Sequence, residues 1–384
     1  MREAKNRVRF ALDILLIVSF LVLIGAPLLV QVFDIDVPGS NTENRGRASL
    51  PSFTLGDDTG EDFPSRFETY YNDNFGLRDQ FISAHNYISV KGFQVPGTPK
   101  VIIGKEGWYF SGYPRLIDSY TSQGRLSDEE LEQWGQTFVE MQHWLNGKGI
   151  RFLMIIVPDK QEFLGEYMPD HIRRGPYPTI YQQRMDWLEE YTTIAVIDLL
   201  PVFRETQKTD NVFFKTDRHW NSKGASIAHE AIVRRLAEWY PDIRPYSAED
   251  YRWQMITRRR GNQVRDLGFP ELEEDIESAI FIGERRAVRI ESHVYDPPNE
   301  LPRDVYYPKI FETGDESLPR AVMYRDSFAI QIMEDLAEHF ERITYIWPKH
   351  HRDHWKVDFD LGPVLRENPD VFIFESVHGV LATV

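Results

Sequence analysis

Apolar and polar positions divide the chain into three regimes. From Phe10 to Phe33 the sequence FALDILLIVSFLVLIGAPLLVQVF is apolar with one charge, Asp13. A run of that length spans a bilayer's hydrocarbon core as a helix. Residues 34–62 are polar, rich in Pro, Gly and Ser, and follow neither the helical nor the strand period, which predicts a linker. From Phe63 onward, amphipathic helical patterns alternate with short apolar runs. Ser127 and Glu130 have capping-box spacing ahead of DEELEQWGQTFVEMQHWLNGKG, which stops at glycines before the apolar strand RFLMIIVP. The same step recurs as YQQRMDWLEEY before IAVIDLL, as AVMY before FAIQIMEDLAEHF and ITYIW, and as PDVFIFES near the end. Such alternation predicts an α/β fold: a mostly parallel sheet with helices on both faces, preceded by one N-terminal transmembrane helix. The expected layout is a cytoplasmic N-terminus at 1–9, an anchor at 10–33, an extracytoplasmic linker at 34–62 and a folded domain at 63–384. Within that domain, Pro- and acid-rich 265–319 reads as an insertion over the sheet edge, a lid or an interaction surface.

Charge refines this layout. Arg2, Lys5 and Arg7 precede the apolar run, so the N-terminus stays in the cytoplasm and the remaining chain crosses. A cleaved signal peptide also begins with a basic region, but the run exceeds the usual apolar core and no small-x-small site follows it. The expected location is the inner, cytoplasmic membrane, with the domain in the periplasm or extracytoplasmic space. A net charge of −16 argues against a general nucleic-acid binder. The absence of cysteine excludes disulfides, thiolate metal sites and cysteine nucleophiles, and leaves the redox compartment open.

On a parallel sheet the chemistry lies beyond the carboxyl ends of the strands. Two places there carry capable residues. Ser327, in YRDSFA, falls where a strand ends and a helix begins, beside free amides and the positive end of the helix dipole. A nucleophilic serine needs that setting, and an ordinary helix N-cap fills it equally well. In TDRHWNSKGA, Asp217 and His219 lie two residues apart in a loop before a helix capped by Asn221 or Ser222. An imidazole activates a serine best when a carboxylate fixes its tautomer. Alternatively, Asp217 caps the helix and His219 packs on Trp220.

Taken together, these blocks resemble the alginate O-acetyltransferase family of the AlgJ and AlgX type, whose domain is similar to the SGNH hydrolases. TDRHWNSKGA resembles its acid-x-His-Trp block and YRDSFA its nucleophile block. FETYYNDNFGLRDQFI and VIIGKEGWYF resemble its N-terminal blocks, and VPDKQEFLGEYMP its Pro-x-Lys loop. The resemblance spans about 67–384. It implies an SGNH-hydrolase-like sheet, Ser327 as nucleophile, His219 as general base and Asp217 as its orienting acid. The chain order Asp, His, Ser resembles a circular permutation of ordinary SGNH hydrolases, whose serine comes first. Backbone amides near Ser327, with Arg325 and Lys160, are candidate oxyanion or substrate contacts, and Trp220 is a candidate near the sugar. The sequence departs from the family pattern at His378 and Gly379, where Glu-Arg is usual, and at Asn262, where aspartate is common. The chain stops soon after its last strand, which favours the anchored AlgJ layout over AlgX with its carbohydrate-binding module.

The resemblance also implies the reaction: acetylation of hydroxyls on an extracytoplasmic polysaccharide through an acetyl-serine, with a multispanning membrane protein donating acetyl. No cofactor and no metal are expected. His350, His351 and His354 read as a solvated loop, since no carboxylate stands at ligand spacing. Two other readings stay open: a carbohydrate esterase using the same triad with water, and a non-catalytic component of an export complex.

Overall fold

The computed structural model describes residues 2–33, 35, 47–52, 63–93, 95, 98–246, 248–259, 261–267, 273–291, 308–350, 357–358 and 361–377. The chain forms two compact units, one of residues 1–98 with 264–271, the other of 99–263 with 272–384.

The first unit begins with a helix, Arg2–Val32. Within it, Arg9–Val32 is long and apolar enough to cross a membrane, and its side chains are almost all uncovered. Two further helices, Phe63–Asn74 and Arg78–Tyr87, form a corner around Phe75, Gly76 and Leu77. Leu77 adopts φ 62°, a left-handed conformation that costs a non-glycine residue about 1 kcal/mol. Gly76 has no room for a side chain, because a Cβ there would lie 2.0 Å from the Pro27 carbonyl oxygen. Residues 47 and 48, expected within the linker, are held on this corner. Asp73 accepts from the Ala48 amide, Asn74 donates to the Ala48 carbonyl and Arg47 pairs with Asp79, each at 2.9 Å.

The second unit is built on strands β1 (Val101–Ile103), β2 (Tyr109–Ser111), β3 (Arg151–Val157), β4 (Ala195–Asp198), β5 (Tyr251–Arg259), β6 (Glu273–Phe281), β7 (Val288–Ile290), β8 (Lys309–Glu312), β9 (Arg320–Tyr324), β10 (Arg342–Ile346), β11 (Lys349–His350), β12 (Val357–Asp358) and β13 (Val371–Val377). Seven of them form one sheet in the order β4-β3-β13-β9-β10-β8-β7. Pairing is parallel from β4 through β10, and β8 and β7 add antiparallel at the edge. The residues of β3, β9, β10 and β13 are buried almost throughout, so both sheet faces are covered, as a mixed α/β fold with a central parallel sheet requires. Segment 265–319 supplies β6, which pairs with β5 in a two-stranded ribbon, and edge strands β7 and β8.

Local signals in the sequence set several elements. The Ser127 hydroxyl accepts from the Glu130 amide and the Glu130 carboxylate accepts from the Ser127 amide, completing the capping box that starts the helix Asp128–Asn146. Asn221 caps the helix Ser222–Ala237, its side-chain oxygen accepting from the amides of Lys223 and Gly224. After β9, the expected continuous helix is replaced by a short 3-10 turn, Phe328–Gln331, and a separate helix, Met333–Ala337. The break falls at Ile332, whose φ of −109° leaves the helical range. Residues 328–341 carry the chain from Ser327 back to the start of β10.

Candidate active site

Beyond the carboxyl ends of β3, β9 and β13, the second unit brings Asp217, His219 and Ser327 into one line. His219 Nε2 lies 2.8 Å from Ser327 Oγ, and Nδ1 lies 2.7 Å from Asp217 Oδ1. The imidazole sits with its ring centroid 4.7 Å from that of Phe328. Serine and histidine are 108 positions apart in sequence, so tertiary structure makes the contact.

The acid and base ride on a closed loop. Phe213 and Trp220 form an antiparallel bridge, the Phe214 amide donates to the His219 carbonyl, and the Asn221 amide donates to the Val212 carbonyl. Tying both ends together limits the motion of the residues between. The Glu274 carboxylate accepts from the amides of Lys215 and Thr216 and from the Thr216 hydroxyl. Gly261 passes so close that a Cβ there would stand 2.2 Å from the Thr216 carbonyl oxygen. The neighbouring Asn262 donates its amide to Asp217 Oδ2 at 3.0 Å and accepts from the Arg218 amide at 3.1 Å. An aspartate side chain would accept the Arg218 amide equally well, so this departure from the family pattern keeps the local hydrogen bonding.

Asp217 is almost fully buried. Burial alone would raise its pKa. The hydrogen bond and charge of His219, the Arg258 guanidinium at 3.2 Å and the Asn262 amide outweigh burial and hold the carboxyl well below the usual range. Arg258 also lies over the Phe214 ring, 3.9 Å from its centroid. No sequence signal marks Arg258 apart from the other two arginines of its run.

Lys160 follows β3 and is buried. Its Nζ donates to the carbonyls of Tyr109 at 2.6 Å, Lys215 at 3.0 Å and Asp217 at 2.9 Å, with Gln263 Oε1 at 3.3 Å. Burial lowers its pKa to about 7, and the charges of Glu274 and Asp217 draw it back up. The lysine thus holds the backbone beneath the acid and does not present its ammonium to solvent.

The nucleophile turn is similarly braced. Asp326 Oδ1 accepts from the Phe328 amide at 2.8 Å, Oδ2 accepts from the Val377 amide at 2.6 Å, and the Asp326 amide donates to Glu375 at 3.1 Å. Burial raises both carboxyls; at Asp326 the Val377 and Phe328 amides oppose it, and at Glu375 the charge of Asp326 adds to it. The Phe328 amide is therefore taken, whereas the Ser327 amide has no acceptor among the described residues.

The remaining site candidates are buried. Trp220 is 0% exposed, packs edge-to-face on Phe328 at 5.2 Å and joins Phe203 and Phe213 in the core. It is unavailable for a sugar ring, because the Phe213–Trp220 bridge turns its indole inward. Arg325 is 1% exposed, donates to the Asp326 carbonyl and lies 4.7 Å from the Trp347 ring centroid. Its guanidinium braces the strand end beneath Ser327. His351, His354, His378, Gly379 and the His350 side chain lie outside the described residues.

A parallel sheet with a Ser–His–Asp line at its carboxyl edge defines an SGNH-hydrolase-like α/β protein. The family model described as "SGNH hydrolase-like domain, acetyltransferase AlgX" matches residues 101–298, just over half of the chain. The chain belongs to that family. The match includes Asp217 and His219 and ends before Ser327. Among curated relatives, the probable alginate O-acetylase AlgJ of Pseudomonas aeruginosa is 25% identical over 225 residues, 57% of this chain and 53% of that protein. The Pseudomonas fluorescens protein of the same name is 27% identical over 179 residues, 45% of this chain and 42% of its own length. The chain spans about half the length of the curated relatives it matches. Among solved structures, Bacillus cereus PatB1 with a sulfonyl adduct shares the fold at a TM-score of 0.54 and 16% identity, over 73% of this chain and 97% of that one.

Proposed function

We propose that this protein is a membrane-anchored O-acetyltransferase that acetylates hydroxyls of an extracytoplasmic polysaccharide through an acetyl-serine. The observation that carries the reading is the unbroken hydrogen-bonded line from Asp217 through His219 to Ser327. Family membership supplies the reaction class, and the AlgJ relatives point to alginate or a polymer like it as acceptor.

In the first half-reaction, Ser327 Oγ attacks the carbonyl carbon of an acetyl ester or thioester while His219 Nε2 takes the hydroxyl proton. Asp217, ionised and hydrogen-bonded to Nδ1, keeps the lone pair on Nε2 and stabilises the imidazolium. The tetrahedral oxyanion falls to the Ser327 amide, which has no acceptor among the described residues. Collapse expels the donor's leaving group, which takes the proton from His219, and acetyl remains on Ser327. In the second half, a sugar hydroxyl gives its proton to His219 and attacks the acetyl carbon. Ser327 Oγ leaves with that proton, and the ester has moved to the sugar. Acetyl-coenzyme A is cytoplasmic, so a multispanning membrane protein is the expected supplier of acetyl. The helix Arg9–Val32 would hold the enzyme to the same bilayer, the inner membrane.

The test incubates the protein with a chromogenic acetyl ester, with and without an oligomannuronate acceptor. The reading expects an acetyl adduct on Ser327 by mass spectrometry, none in Ser327→Ala, and acetylated oligosaccharide with the wild type. Ester hydrolysis unchanged in Ser327→Ala would sink the enzymatic reading, and hydrolysis without any acetylated sugar would favour the esterase.

A further inference from the structure

The first unit carries a run of aromatic residues, several of which remain partly exposed among the described residues. Phe63, Phe67 and Tyr71 recur every fourth residue of the helix Phe63–Asn74, the spacing of one helix face, and Phe75 follows just past its end. Their rings form contact chains, with centroids 6.0 Å apart for Phe63–Phe67, 5.8 Å for Tyr71–Phe75 and 6.4 Å for Phe75–Phe81. Yet Phe67 remains 43% exposed, Tyr71 42% and Phe81 41%. An aromatic stripe of this kind normally faces a core. The polar side of the same corner is already occupied, since Asp73, Asn74 and Asp79 bind Arg47 and Ala48.

The corner's position on the first helix supplies the occupant. Gly76 lies against the Pro27 carbonyl, five residues before the helix ends at Val32. At 1.5 Å per residue that contact sits about 7 Å inside the end of the apolar span. Amphipathic helices lying on a bilayer bury their apolar face about 5–10 Å into the boundary between headgroups and acyl chains. Tyrosine rings concentrate at the same level. We infer that the helices Phe63–Asn74 and Arg78–Tyr87 lie in the lipid interface on the non-cytoplasmic side, with Phe67, Tyr71 and Phe81 inserted among the lipids. The inference rests on the reading of Arg9–Val32 as a membrane span and adds a second, in-plane contact with the bilayer.

The native chain has no cysteine, so single cysteines can be spin-labelled without background. The full chain is reconstituted in nanodiscs of phosphatidylethanolamine and phosphatidylglycerol as Phe67→Cys, Phe81→Cys, Glu68→Cys or Leu21→Cys, each checked for native helicity. Collision with lipid-soluble oxygen is then compared with collision with a water-soluble nickel chelate. The oxygen-to-nickel ratio is expected to exceed unity at positions 67 and 81, as at 21, and to fall below unity at 68. Positions 67 and 81 as open to nickel as 68, with 21 still lipid-exposed, would overturn the in-plane contact while leaving the span intact. That outcome would assign the aromatic face to a protein partner. A water-exposed label at 21 would remove the span and the inference with it. Tyr71→Cys repeats the reading at a third ring if either phenylalanine variant fails to fold.

Discussion

Replacing Asp217 with asparagine tests the line of hydrogen bonds at its least replaceable point. Asp217 accepts on both oxygens: Oδ1 from the His219 amide and Nδ1, Oδ2 from Arg258 and the Asn262 amide. An asparagine has one oxygen for these four donors. Keeping the carbonyl toward the charged Arg258 turns the amide NH2 toward His219, and Nδ1 must then become an acceptor. The imidazole proton moves to Nε2, where it can no longer take a proton from Ser327. The expected loss in kcat is about 10⁴-fold, as for a wrong-tautomer base, or about 5.5 kcal/mol of barrier. KM for the ester should change little. Stability should also fall, by about 3 kcal/mol, at the low end for breaking a buried ion pair because Arg258 is one-third exposed. The sign with pH is fixed. A carboxyl held below its ordinary value stabilises the fold above the ordinary carboxylate range, and that stability is lost as pH falls through the folded value. Wild type and Asp217→Asn should therefore differ in denaturant midpoint at neutral pH and converge in strong acid. Activity of Asp217→Asn within tenfold of wild type would refute the tautomer argument.

Three further outcomes follow from the packing. Trp220→Ala should cost about 3–5 kcal/mol in chemical denaturation, as for other buried aromatics, and leave the acceptor KM of the folded fraction unchanged; a selective rise in acceptor KM would restore a sugar-stacking role. Gly261→Ala should lower kcat by displacing the Thr216–Asp217 backbone, with about 1–3 kcal/mol of destabilisation by overpacking, readable in parallel kinetics and melts. Asp159, after β3, is raised to about 8 by burial, then by Glu162 and Asp326, with Arg184 opposing. The unfolded chain releases that proton near the ordinary carboxylate value, so wild-type stability declines as pH rises toward 8. Asp159→Asn should lack this decline, by up to about 1.4 kcal/mol per pH unit, and parallel pH–stability curves would contradict it.

Features written in local sequence were the legible ones. The Ser127–Glu130 box and the Asn221 cap need only neighbouring residues, and the apolar run of β3 announces its own burial. Asp217, His219 and Ser327 could be named from motif and resemblance, but their contact depends on the strand order and on the loop closed at Phe213 and Trp220. Side-chain direction was illegible for the same reason. Nothing in TDRHW tells that histidine faces the serine while the adjacent tryptophan faces the core. Lys160 was readable as special but its hold on the backbone was not, because the carbonyls it binds come from two distant segments, Tyr109 and the 215–217 loop. The antiparallel β7 and β8 were hidden in a segment whose proline and acidic content masks strand periodicity.

The binding of Lys160 to carbonyls of Tyr109, Lys215 and Asp217 carries a kinetic consequence. Surface loops usually open at little cost, and their amides exchange with solvent early. Here one ammonium fastens β2 to both sides of the acid, so the segment carrying Asp217 and His219 should open only when the surrounding sheet does. The reorganisation needed to aim the base is then completed once, during folding, and does not recur in each catalytic cycle.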